Sequence, residues 1–65
     1  MKSPQRIFAD LTALLEDLHS IAVDGQAPDG TPTLQRLQAH EAEAGLARGC
    51  RLLVVLRRSI QRVSK

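Results

Sequence analysis

The chain has 65 residues, nine Lys or Arg against seven Asp or Glu, two His, one Cys and a single aromatic side chain, Phe8. That length holds one domain, with a core at the limit of what stands without a second subunit or a partner. The lone Cys50 excludes an internal disulfide and a cysteine-based zinc site, and the absence of Trp and Tyr argues against base-stacking surfaces.

The net charge of +2 conceals a split between the two parts of the chain. Residues 1–45 hold all seven acidic groups and three basic ones, whereas residues 46–65 hold six basic groups and no acidic one. Positions 1–23 carry charges throughout and lack a long apolar core, so no signal peptide is expected. No run approaches the roughly 20 apolar residues of a membrane span. A reducing cytoplasm is the expected location.

Ser3-Pro4 is a helix start, with Ser free to cap the orphan amides and Pro suited to the first helical position. Ile7, Leu11, Leu14, Leu18 and Ile21 then recur at spacings of 4, 3, 4 and 3, with Phe8, Leu15 and Ala22 beside them at intervals of seven. This wide apolar stripe predicts a helix over about 4–23. Residues 24–31 carry the Gly and Pro punctuation of a loop. Thr31-Pro32 repeats the start signal, predicting a second helix over about 32–62.

That second helix opens on Leu34 and Leu37 and becomes small-sided through Ala39, Ala42, Ala44, Gly45, Ala47 and Gly49. Helical glycines each cost about 1 kcal/mol relative to Ala. Gly45 and Gly49, four apart on one face, therefore suggest close approach of the first helix. The alternative is that Gly49 ends one helix and a third begins at Cys50. A run of five aliphatic residues follows, Leu52-Leu53-Val54-Val55-Leu56, and with Ile60 and Val63 it leaves little polar face. A strand at 52–56 would have no second strand to pair with, so helix is preferred.

With the turn centred near Ala27 and Pro28, Leu18 would face Leu37 and Leu11 would face Ala44. Some ten residues of the second helix, about 15 Å, would then project beyond the first. On that register Leu52, Leu53, Val54, Val55, Leu56, Ile60 and Val63 form an uncovered patch of the kind that marks a protein interface. The expected fold is an all-α, antiparallel two-helix hairpin with a longer second helix, completed by a homo-oligomer or a partner.

No catalytic constellation is present, and neither enzyme activity nor a cofactor or metal is expected. His40-Glu41-Ala42-Glu43 lacks the second His of the zinc-protease motif, and Glu16 and Asp17 diverge on adjacent helical positions. Cys50 reads as a small interfacial hydrophobe. Arg48, Arg51, Arg58, Arg62 and Lys65 share about a third of the helix circumference, a basic stripe suited to an acidic groove or to phosphates.

The hairpin layout resembles the small cochaperones of type III secretion needle subunits, the YscE/PscE type. The likeness is carried by the first amphipathic helix ending at a Gly turn (Leu11 to Gly25) and by the Leu34-Gln35-Arg36-Leu37-Gln38 helix start. The small-sided middle leading into the aliphatic run (Gly45 to Leu56) completes it. The resemblance implies a protein that pairs with a helical-repeat chaperone and helps keep the needle subunit monomeric before export. The needle subunits themselves are hairpins with Pro-containing turns, compared here with Pro28 to Pro32. A weaker likeness, through Gly45-Leu46-Ala47-Arg48-Gly49-Cys50-Arg51, is to the helical small subunit of exonuclease VII. The expected function is thus a protein-interaction module, a cochaperone binding a helical partner. The alternatives are a small basic subunit or regulator acting on nucleic acid and, third, a self-associating four-helix bundle with no chaperone role.

Overall fold

The computed structural model describes residues 2–63, without the side chain of Val63, and consists of two helices packed as an antiparallel hairpin. Helix α1 runs from Pro4 to Asp24 and α2 from Pro32 to Val63. Ser3 caps α1, its Oγ accepting from the Arg6 amide at 3.3 Å, and Thr31 caps α2, its Oγ1 accepting from the Leu34 amide at 3.2 Å. Helix α2 is continuous through Gly45 and Gly49; no break falls at Cys50.

The expected register is wrong. A Cβ at Gly45 would touch Leu18, a Cβ at Gly49 would touch Leu14, and Gly25 lies beside the side chain of Gln38. At the far end the Ser59 hydroxyl donates to the Lys2 carbonyl at 3.5 Å. Helix α2 is therefore displaced along α1 by about seven positions, some 10 Å at the helical rise. The connection explains the shift. Gln26 and Ala27 donate back to Val23 and Asp24, and Gly30 donates to Ala27, so successive turns carry the chain onward past the end of α1. Helix α2 thus begins beyond that end.

The projecting segment is consequently the start of α2, residues 32–37, with Leu34 and Leu37 exposed. The aliphatic run lies alongside α1 instead of overhanging it. Ile7, Leu14 and Leu56 are buried at 1, 6 and 4% exposure, and Ser59 at 4%. The seam has a volume logic. In its middle, Leu18 and Leu14 of α1 lie over Gly45 and Gly49; towards the open end Leu52 and Leu56 supply the bulk opposite the start of α1. Among the described residues three buried apolar side chains make a thin core, and the hairpin is a rod whose Cα extents are 53 × 15 × 14 Å.

Candidate functional site

The hairpin has two broad faces, one on each side of the seam. On one, Asp10, Asp17 and Arg48 flank a groove floored by Leu14 and Leu52, and Glu41 continues it towards the loop. Lys2 Nζ lies 2.7 Å from Asp10 Oδ2, and Arg6 reaches the other oxygen at 3.6 Å. The hydrogen bond from Lys2, then the charges of Lys2 and Arg6, hold the Asp10 carboxyl below its ordinary range. This face is charged, and its carboxylates are spread along the groove rather than converging. Among the described residues no cluster of three or more His, Cys, Asp or Glu could hold a metal ion. Among the same described residues no helix is long and apolar enough to cross a membrane.

The opposite face is apolar. Ala22, Ala39 and Ala42 line its groove near the loop. At about 100° per residue, Phe8 and Leu15 fall on the same flank of α1 as Ala22, and Leu46, Leu53 and Ile60 on the same flank of α2 as Ala39 and Ala42. Both rows step by seven residues. The observed register sets Phe8 level with Leu53, Leu15 level with Leu46 and Ala22 level with Ala39. The five large side chains keep between 41% (Ile60) and 60% (Leu46) of their surface exposed. From Pro4 to Ala22 on α1 and from Ala39 to Ile60 on α2, the charges bordering this face are Glu43 and Arg57 at its rim.

The structure scatters the sequence-predicted patch. Leu53 and Ile60 belong to the apolar face. Val54 is exposed on the outer side of α2, beside a shallow groove with Arg57, Arg58 and Gln61, and Val55 faces the charged side. Leu52 is half-buried in the seam floor and Leu56 is buried against α1, so Leu56 cannot serve as a partner contact. The side chain of Val63, like Lys65, lies outside the described residues. Cys50 is a free cysteine exposed on α2. Arg48, Arg51, Arg58 and Arg62 share a sector of α2 on the charged side, turned away from the apolar face.

Sequence reasoning grouped Phe8, Leu15 and Ala22 with the core stripe, and gave Leu46 no place in a core or an interface. The signal that separates them is the second row on α2, Leu46, Leu53 and Ile60, with the same interval of seven. Comparison of this chain with protein-family models, with curated proteins and with solved structures finds no match.

Proposed function

We propose that this chain is a small protein-interaction module that binds a helical partner through its apolar face. The observation that carries the reading is the row of Phe8, Leu15, Leu46, Leu53 and Ile60, exposed together on a face nearly free of charge. Water contact over such a patch is costly, and patches of this kind mark docking surfaces. Grooves between paired helices accept an amphipathic helix through residues at i, i+4 and i+7. The finer reading, a cochaperone of type III secretion acting with a helical-repeat chaperone or a needle subunit, rests on the resemblance of layout described above. A cytoplasmic location goes with that reading.

A second reading, phosphate binding, has one observation in its favour. Between residues 48 and 63 the exposed charges of α2 are all arginines. The two readings separate by salt, because neutralised phosphates make affinity fall steeply with salt whereas apolar burial is little weakened. Capture of partners from the native host should be lost in a Leu15→Glu, Leu53→Glu variant and largely kept in an Arg58→Ala, Arg62→Ala variant, at both about 50 and 300 mM salt. Retardation of DNA or RNA that the arginine pair alone abolishes would overturn the protein-binding reading.

A further inference from the structure

We infer that the apolar face is covered by a second copy of this chain, giving a two-fold four-helix bundle. The inference rests on the reading of that face as a docking surface and names its occupant. Three observations point to self-pairing.

The first is area. Folded monomers of 7.1 kDa expose about 4,100 Å² by the usual scaling, whereas this hairpin exposes 5266 Å². Two helices side by side are about 20 Å across, and the apolar face runs for some 30 Å, so each copy can bury roughly 600 Å². Two copies reach about 1,200 Å², the lower bound for a stable, specific interface.

The second is symmetry. Phe8 lies level with Leu53, and Leu15 with Leu46, within one hairpin. A two-fold axis parallel to the helices keeps every level in place, so each apolar rung meets its own copy. Phe8 then lies over Leu53 of the second copy and Leu15 over its Leu46, with all neighbouring helices antiparallel.

The third is charge. Helix α1 carries four carboxylates and one arginine, whereas α2 carries six arginines and two glutamates. The same axis lays the acidic α1 over the basic α2 of the second copy. At the rim, His19 comes level with Glu43 of that copy and Gln5 with its Arg57, so no like charges oppose one another. Pairing α1 with α1 would juxtapose like-charged helices instead.

Sedimentation equilibrium of the full chain from about 1 to 200 µM should give a single species of twice the chain mass, with thermal stability rising with concentration. Leu15→Glu with Leu53→Glu should weaken the dimer by at least about 100-fold, and Val54→Glu, on the outer side of α2, should leave it intact. A folded wild-type monomer at 200 µM, or a dimer that Val54→Glu dissociates and the paired glutamates do not, overturns the inference. A folded monomer that still captures a partner through Leu15 and Leu53 would reject the second copy alone and spare the docking reading.

Because loss of the dimer can also unfold the hairpin, the pairing is read separately by disulfide cross-linking. A Leu15→Cys, Cys50→Ser chain is mixed with a Leu46→Cys, Cys50→Ser chain and oxidised with copper phenanthroline. The mixed disulfide should exceed the statistical share of two mixed to one of each symmetric product. A predominance of either symmetric product overturns the arrangement.

Discussion

Gly45 and Gly49 look equivalent in the sequence and are not equivalent in the seam, which makes them a quantitative test of the register. Replacing a helical Gly with Ala gains about 1 kcal/mol from backbone entropy alone. At Gly49 that gain survives, because an added Cβ meets only Leu14 Cδ2 at 3.5 Å, an ordinary contact. At Gly45 the Cβ would sit 2.6 Å from Leu18 Cδ2 and 3.3 Å from Leu18 Cγ, with Leu14 Cδ1 at 3.7 Å. The Leu18 methyl can swing, but its branch carbon is also crowded and Leu14 limits its retreat. A displaced rotamer costs on the order of 0.5–1.5 kcal/mol.

Gly49→Ala should therefore raise the melting temperature by about 4–8 °C, and Gly45→Ala should leave it nearly unchanged. Gly45→Leu adds three further carbons to the same gap and should destabilise by about 1–3 kcal/mol. Circular dichroism melts at one fixed chain concentration read all three, the concentration mattering for any chain that associates. In a Leu18→Ala background the penalty at Gly45 should vanish, so that Gly45→Ala stabilises there as Gly49→Ala does in the wild type. Equal gains at both glycines, or a higher melting temperature for Gly45→Leu, would refute the close approach of Leu18 to α2.

Leu56→Ala should cost about 2–5 kcal/mol, since Leu56 is buried against α1, while Val54→Ala should stay within about 0.5 kcal/mol; similar losses would mean that the aliphatic run overhangs after all. Ser3→Ala and Thr31→Ala should each cost about 0.5–2 kcal/mol in chemical denaturation, through loss of the two N-caps. Lys2→Ala should move the NMR titration of Asp10 upward, towards the ordinary carboxylate range. The folded-state value is depressed, so the contribution of Asp10 to stability is present above the unfolded value and is lost as pH falls through the folded one. An unmoved titration would show that Lys2 does not hold that carboxylate.

The helices and both caps were legible in the sequence because each has a local cause: Ser3-Pro4, Thr31-Pro32 and a stripe with helical period. The register was not. It depends on where the connection sends the chain, and hydrogen bonds at Gln26, Ala27 and Gly30 are not encoded in apolar spacing. A turn drawn as a symmetric crossing placed Leu18 opposite Leu37, whereas the climbing connection places it over Gly45. That single displacement buried Leu56 and moved the overhang to the opposite end of α2. The identity of the exposed face followed from the same error. A run of five aliphatic residues in a helix points in every direction, so its hydrophobicity says little about a surface until the register is known.

The width of an apolar stripe on a helix reports how many neighbours that helix needs. A seam between two helices uses a stripe of about two positions in seven, whereas a helix in a bundle uses about three. On α1 the seam takes Ile7, Leu11, Leu14, Leu18 and Ile21, and α2 is the only neighbour the hairpin offers for them. Phe8, Leu15 and Ala22 are the third position of each heptad, and α2 repeats the surplus at Leu46, Leu53 and Ile60. Each helix therefore carries apolar surface for one neighbour more than the hairpin supplies, on the same side of the seam. Two further helices presented there meet that requirement for both at once, and a second hairpin is the smallest unit that brings two.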